Sequence, residues 1–189
     1  MGPGQGRGEQ HQRGPARRRS PEAADESRAG LRVREATIHG REAASPLFAD
    51  TNLLVYSRDA RDATKQEQAA EWLDFLWDTR RGRLSRQVLQ EYYVTVTRKL
   101  QPGLPVAEAR ADVRALFHWL SPIEPGVLVE AAWALQDRCS LSFWDALIVG
   151  AAQTMGCGFV LTEDLPAGQD LEGVRVVNPF ETRPADLRD

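Results

Sequence analysis

From residue 46 onward, short apolar segments alternate with longer segments of helical periodicity, and this alternation limits the folds open to the chain. The strand-like segments are PLFA, residues 82–85, SPIEP, FVLT and VRVVN. A short helix is predicted after the first strand, and longer helices over 65–81, 87–100, 106–119, 127–138 and 141–156. Strands that alternate with helices predict an α/β fold, a three-layer αβα arrangement with a central, mostly parallel sheet.

Residues 1–45 differ in composition from the rest of the chain. They are rich in Gly, Pro, Arg, Ser and Glu and lack apolar periodicity, apart from a weak strand signal over 31–38. We expect a disordered N-terminal extension over 1–45, one globular domain over 46–182 and a short tail over 183–189. The extension is an RNA-attracting basic arm, an inert segment, or upstream sequence read from a misassigned start codon.

Charge and composition exclude several classes of protein. Residues 1–45 hold nine arginines against six acidic residues, so the net charge of −3 leaves about −6 on the remainder, which argues against a broad nucleic-acid-coating surface. The two cysteines, Cys139 and Cys157, and three scattered histidines give no zinc or disulfide pattern. No apolar run reaches membrane-spanning length and no signal peptide is recognisable, so we expect a cytoplasmic protein.

Two acidic residues follow predicted strands. Asp50 comes directly after the first strand, and Asp164 lies two residues after FVLT. Ligands of open α/β sheets bind beyond the carboxyl ends of the strands. Both carboxylates are therefore expected at the ligand-binding edge of the sheet.

Each candidate acid also has a purely structural explanation. Asp50 can cap the helix that follows it, and Ser142 with Asp145 forms a capping box. Glu91 lies on a predicted helix, where an isolated Glu is usually solvated, and Asp164 can begin a turn.

The neighbours of Asp145 favour a functional role for this residue. Phe143, Trp144 and Ala146 surround it in the sequence, and burying an ionised carboxylate among apolar side chains is costly without a cation. A bound metal ion would compensate for that cost.

Four strings of the sequence together resemble the acidic motifs of PIN domains. They are FADTNLLVYS, SRQVLQEYY, LSFWDALIVGAA and LTEDL followed by VNPF, in the order and spacing of that family, and they span about 46–180. The nearest resemblance is to VapC toxins of bacterial toxin–antitoxin pairs. It implies that Asp50, Glu91, Asp145 and Asp164 form an acidic metal-binding cluster, supported by Asn52, Ser142 and Thr162. The long basic N-terminus departs from the family pattern.

The resemblance implies a metal-dependent endoribonuclease that acts on transfer or ribosomal RNA. Oxygen ligands favour Mg²⁺ or Mn²⁺, which activate a water molecule for phosphodiester hydrolysis and leave, as in the family, a 5′-phosphate and a 3′-hydroxyl. The candidate RNA-binding cations are Arg58, Arg61, Arg83, Arg86, Arg98 and Lys99.

The helix over 65–81 carries more apolar surface than one core-facing stripe needs. Trp72, Phe75, Leu76 and Trp77 either form a two-sided core helix or, as the family suggests, part of an antitoxin groove or homodimer interface.

Other functions with similar patterns fit the sequence less well. A haloacid dehalogenase phosphatase needs D-x-D, but the third position here is Asn52, and a receiver domain needs a lysine near its last strand, whereas the lysines are Lys65 and Lys99. The stronger alternative is a PIN fold that binds RNA or protein with little catalysis.

Overall fold

The computed structural model describes residue 2 and residues 44–187. The expected N-terminal extension, apart from residues 2, 44 and 45, and the weak strand over 31–38 lie outside these residues. The strands are β1 (Leu47–Ala49), β2 (Gly82–Arg83), β3 (Phe159–Leu161), β4 (Asp170–Leu171) and β5 (Val174–Val177). The α-helices are α1 (Thr51–Tyr56), α2 (Ala63–Thr79), α3 (Arg86–Val94), α4 (Val106–Leu116), α5 (Pro125–Cys139) and α6 (Phe143–Thr154).

The five strands form one sheet in the order β2-β1-β3-β5-β4. All neighbours are parallel except β4 and β5, and helices flank the sheet, which confirms the predicted α/β architecture. Two details of the prediction are wrong. SPIEP forms no strand, because its prolines lack a donor N–H, and only Leu120 before it makes an isolated bridge, to Leu84. The short strand β4 was not predicted.

The helices pack in two groups. Helix α1 contacts α2 and α3, and α3 contacts α4, whereas α5 packs on α6, which lies against β3 and β5. Ser142 caps α6 as predicted. The predicted helix over 87–100 is divided, because α3 ends at Val94 and a π-helical turn over Thr95–Lys99 follows it. Similarly, α4 ends at Leu116 and a 3-10 turn continues over Phe117–Trp119.

Helix α2 uses its apolar residues within the domain. Trp72 and Leu76 are buried, and Phe75 and Trp77 pack against the core from its margin. The indole N–H of Trp72 donates to the carbonyl oxygens of Pro179 and Thr182, at 3.0 and 2.9 Å. These contacts support the interpretation of α2 as a two-sided core helix.

One glycine in the sheet is required by a close approach. A Cβ atom at Gly82 would come within 2.5 Å of the ring of Trp119, so a larger residue in β2 would displace the indole. Trp119 is buried and stacks on Trp77 at 4.6 Å between ring centroids. This contact packs β2, which leads into α3, against the 3-10 turn over Phe117–Trp119.

Within the described residues, no helix is both long and apolar enough to cross a membrane. Beyond β5, Pro184–Asp186 forms a 3-10 turn in contact with α2, and Pro184 is buried.

Candidate active site

The carboxyl ends of β1 and β3 bring polar residues to one edge of the sheet. Asp50 follows β1 and its N–H donates to the Leu161 carbonyl at 3.1 Å, and Thr162 follows β3 and its N–H donates to Val177 at 3.0 Å. Parallel pairing of neighbouring strands places the residues that follow them side by side. Asp50 and Thr162 therefore meet at the edge where the sequence predicts a site.

Asp50 is a buried acid, only 8% exposed. One carboxylate oxygen accepts from the Thr51 N–H at 2.6 Å, and the other accepts from the Thr162 hydroxyl at 2.7 Å and from the Asn52 amide at 3.4 Å. Burial raises the pKa of Asp50 to about 6, against the lowering effect of its bonds to Thr162 and Thr51. The negative charges of Asp164 and Glu91 raise it further. Asp50 thus caps α1, as the structural explanation expected, and also carries a charge that its surroundings disfavour.

Asn52 joins Asp50 to Asp164. Its amide nitrogen donates to the Thr162 hydroxyl at 3.0 Å and to the Asp164 carboxylate at 3.2 Å, and the Asp164 N–H donates to the Thr162 hydroxyl at 3.1 Å. The Oδ1 atom of Asn52 is buried and has no hydrogen-bond partner among the described residues. Burying an unpaired carbonyl oxygen is costly, and a cation in contact with it would remove that cost.

Glu91 reaches the same edge from α3. Its carboxylate accepts from the Thr51 hydroxyl at 2.8 Å and from the Gln87 amide at 2.9 Å, so α1 and α3 both hold it. Glu91 and Thr51 line an open groove of about 420 Å³ together with Gln90, Val94, Thr95 and Lys99.

Asp145 is held by its own helix and not by the residues that connect the other three acids. It lies in the first turn of α6, where its N–H donates to the Ser142 hydroxyl at 3.2 Å, which confirms Ser142 as the N-cap. Its carboxylate accepts from the same hydroxyl at 2.6 Å, whereas a full capping box would use the Ser142 N–H. Asn52 donates to both Asp50 and Asp164, and Thr51 donates to both Asp50 and Glu91, whereas the side-chain partner of Asp145 is Ser142.

The apolar surroundings expected for Asp145 are not found. Trp144 is 64% exposed, and Asp145 itself is only partly buried. Successive residues on a helix point about 100° apart, so apolar neighbours in the sequence need not surround a side chain in space. The argument from a buried charge therefore applies to Asp50 rather than to Asp145.

The donors at this edge match a hard divalent cation in chemical type. They are carboxylate, amide and hydroxyl oxygens, with no sulfur or imidazole among them. However, no three Asp, Glu, His or Cys side chains of residues 44–187 lie close enough together to hold a metal ion in their present positions. The buried charge of Asp50 and the unpaired oxygen of Asn52 are the features that fit a cation.

The candidate RNA-binding cations divide into two groups. Arg58 pairs with the buried Asp112, with 2.9 Å between Nε and Oδ2, and Tyr92 donates to the same carboxylate at 2.6 Å. Arg61 pairs with Asp59 at 2.6 Å. These two arginines are engaged in contacts within the domain.

The remaining cations lie on β2, α3 and the turn that follows α3. Arg83 donates to the carbonyls of Arg80 and Gly82, at 3.2 and 2.7 Å. Burial raises the pKa of Cys157, and the positive charge of Arg83 lowers it by a smaller amount. Cys157 precedes β3 and therefore lies at the end of that strand opposite Thr162. Arg86, Arg98 and Lys99 are exposed, and Lys99 lines the groove beside Glu91.

Two side chains at the site were not among the sequence candidates. Thr51 and Gln87 both donate to the Glu91 carboxylate and hold it in place. Gln87 could have been found from its i, i+4 spacing to Glu91, which places both on one helix face. The bond from Thr51 joins residues 40 apart, and no local pattern indicates it.

Comparison with known protein families identifies the region that contains these residues. A model of the PIN domain matches residues 47–165, well over half of the chain, and the matched region extends from β1 to the turn after β3. All four candidate acids fall within it. No curated protein matches the sequence.

Proposed function

This chain belongs to the PIN-domain family, whose members are typically nucleases, and on that premise we propose that it is a metal-dependent endoribonuclease. The observation that supports the proposal most is the Asp50 carboxylate, which is buried at the ligand-binding edge of the sheet while two other acids repel it. Proteins rarely keep such a charge without a compensating cation.

Mg²⁺ or Mn²⁺ is the cofactor we propose. Asp50, Asp164 and Asn52 would hold the ion, with Glu91 and Asp145 completing the set of ligands. Bound there, a divalent ion supplies Lewis acidity, since it lowers the pKa of a water molecule and neutralises charge on the phosphate. Glu91 is exposed and Asp145 is partly exposed, so solvent and ions have access to both carboxylates.

The protein's own residues would prepare the site for this chemistry. Thr162 and the Thr51 N–H hold Asp50 in one orientation, and Gln87 with the Thr51 hydroxyl hold Glu91. With a pKa of about 6, Asp50 is largely ionised at neutral pH and is available as a ligand. The Ser142 hydroxyl donates to the Asp145 carboxylate and holds it in place.

The proposed substrate is RNA with unstacked bases, such as the loops of transfer or ribosomal RNA. Lys99 lines the groove that contains Glu91, and the exposed Arg86 and Arg98 lie on α3 and on the turn that follows it, so these three residues are the proposed phosphate contacts. The exposed indole of Trp144, beside Asp145, offers a surface on which one base can stack. Unstacked bases are the part of structured RNA that proteins recognise most readily.

A nuclease assay tests this function. We expect purified full-length protein to cleave single-stranded RNA in Mg²⁺ or Mn²⁺ and to be inactive in EDTA, whereas Asp50→Asn is inactive under both conditions. Glu172→Gln, on the turn between β4 and β5, serves as a matched control and should cleave like the wild type. Equal cleavage by wild type and Asp50→Asn would exclude the mechanism.

One observation favours a second candidate function. The described acids form no preassembled metal cluster, as expected for a PIN fold that binds RNA or protein with little catalysis. In that case RNA binding by the wild type would be independent of divalent ions, and no cleavage would be detected at any metal concentration.

We further propose that the protein is the toxin of a type II, VapC-like toxin–antitoxin system, that the nuclease domain spans residues 46–182, and that it acts in the cytoplasm as a homodimer inhibited by an antitoxin. The motif strings support this assignment. Reading the neighbouring gene and inducing the protein in cells test it. If no small open reading frame lies adjacent and induction leaves growth unaffected, the toxin assignment is refuted, while the nuclease proposal is unaffected.

A further inference from the structure

The Lys65 side chain, at the start of α2, contacts three separate parts of the chain. Its ammonium group donates to Glu163 Oε2 at 2.5 Å and to the Tyr56 hydroxyl at 3.1 Å. It also lies 4.3 Å from the ring centroid of Tyr56 and 4.8 Å from that of Phe180. We call these four residues the Lys65 clamp.

Further contacts hold three members of the clamp in place. The Lys65 N–H donates to the capping carboxylate of Asp62 at 3.0 Å, which fixes the base of the lysine side chain. The rings of Tyr56 and Phe180 meet edge to face at 4.9 Å, and the Phe180 N–H donates to the Asn178 side chain at 3.0 Å. A cation on two aromatic rings and a carboxylate is held from several directions.

The ion pair of the clamp is partly withdrawn from water. The Lys65 and Glu163 side chains are 27% and 23% exposed, so solvent screens their attraction somewhat less than it screens a fully exposed pair. Burial lowers the pKa of Lys65, but the bonds to Glu163 and Tyr56 outweigh it and raise the pKa, which keeps the ammonium charged.

Glu163 lies between two residues of the candidate site. Thr162, on one side, donates to Asp50 at 2.7 Å, and Asp164, on the other, accepts from Asn52 at 3.2 Å. The turn carries two adjacent negative charges, and the clamp engages the one on Glu163. Asp164 then remains the acid that is available to a cation.

We propose that Lys65 is a positioning residue, whose ion pair with Glu163 holds the turn over 162–164 so that Asp164 stays beside Asp50 and the site can bind a divalent ion. This inference rests on the proposed function, because it assigns Lys65 a role in forming the same metal site. Loss of the clamp should therefore weaken ion binding, beyond any effect on folding.

The experiment measures Mn²⁺ binding to the full-length protein by isothermal titration calorimetry, without RNA. We expect Lys65→Met to bind Mn²⁺ about tenfold more weakly than the wild type, the lower end of what loss of a supporting residue costs a metal site. Lys65→Arg, which keeps the charge, should retain most of the affinity. Arg138→Met breaks an exposed ion pair with Glu172 away from the site and should bind Mn²⁺ like the wild type.

A second variant covers the case in which Lys65→Met fails to fold. Glu163→Gln keeps the size of the side chain and removes only the charge, and we expect it to weaken Mn²⁺ binding while circular dichroism stays unchanged. Wild-type affinity in folded Lys65→Met or in Glu163→Gln would overturn the inference and leave the nuclease proposal intact. Failure of the wild type itself to bind Mn²⁺ would overturn the proposed function and this inference with it.

Discussion

Replacing Asp50 by Asn should stabilise the metal-free protein while it abolishes the proposed activity. Below pH 3.8 the Asp50 carboxyl group is protonated in both the folded and the unfolded chain. Between pH 3.8 and about 6 the unfolded chain loses its proton first, so the free energy of unfolding falls as the pH rises. Above about pH 6 the loss is complete, and the wild type carries the full cost of a buried charge.

The size of the effect follows from the pKa and the hydrogen bonds. A rise from 3.8 to about 6 corresponds to roughly 3 kcal/mol at 1.36 kcal/mol per pKa unit. The amide nitrogen of Asn would replace one carboxylate oxygen, which accepts from Thr162 and Asn52, and this costs about 1–2 kcal/mol. We therefore expect a net gain of about 1–2 kcal/mol at pH 8, equivalent to a Tm increase of about 2–8 °C.

Thermal unfolding in EDTA at pH 8 and at pH 4.5 measures this difference. The advantage of Asp50→Asn should be present at pH 8 and should decline towards pH 4.5, and added Mn²⁺ should raise the Tm of the wild type only. Glu172→Gln is the control, because its bond from Arg138 lowers the pKa of Glu172 and its removal should give no gain. A lower Tm for Asp50→Asn than for the wild type at pH 8 would refute the reasoning. A Tm difference between the two proteins that is the same at both pH values would also refute it.

Three other changes have expected outcomes. Trp144→Ala should weaken binding of a single-stranded RNA about tenfold in fluorescence anisotropy, whereas Trp133→Ala, at the other exposed tryptophan of the described chain, should not; equal losses would exclude a stacking role. Lys99→Gln should reduce the slope of log Kd against log salt concentration by about one, the value for one phosphate contact. An unchanged slope would exclude Lys99 from the RNA-binding surface. Asp112→Ala removes the buried carboxylate that accepts from both Arg58 and Tyr92 and should cost about 3 kcal/mol in urea denaturation, so a loss under 1 kcal/mol would contradict this account of the contact.

Much of the fold is predictable from the sequence, because its signals are local. The buried strand Leu47–Ala49 and the cap of α6 by Ser142 follow from runs and caps of a few residues. The hairpin of β4 and β5 was missed because β4 has only two residues. Its signal is the turn Glu172–Gly173, where both residues have positive φ, a conformation that favours glycine.

The site was less predictable than the fold. Position after a strand indicated Asp50 and Asp164, because strand ends are local features. The pairs that organise the edge join distant residues, such as Thr51 with Glu91 and Lys65 with Glu163, 40 and 98 positions apart. Which residues form these pairs depends on tertiary packing, which no local pattern indicates. For the same reason the sequence did not show that Arg58, a candidate RNA-binding residue, pairs with Asp112 within the domain.

The chemistry of the RNA ends tests the central claim most directly. In the proposed mechanism metal-activated water displaces the 3′ oxygen, as the family resemblance implies, so the fragments carry 5′-phosphate and 3′-hydroxyl ends. The wild type should form them in Mg²⁺, and they should be absent both in EDTA and with Asp50→Asn. End-specific labelling and mass spectrometry of the fragments from one RNA distinguish these products. Cyclic 2′,3′-phosphate ends, or the same fragments from Asp50→Asn, would contradict the account.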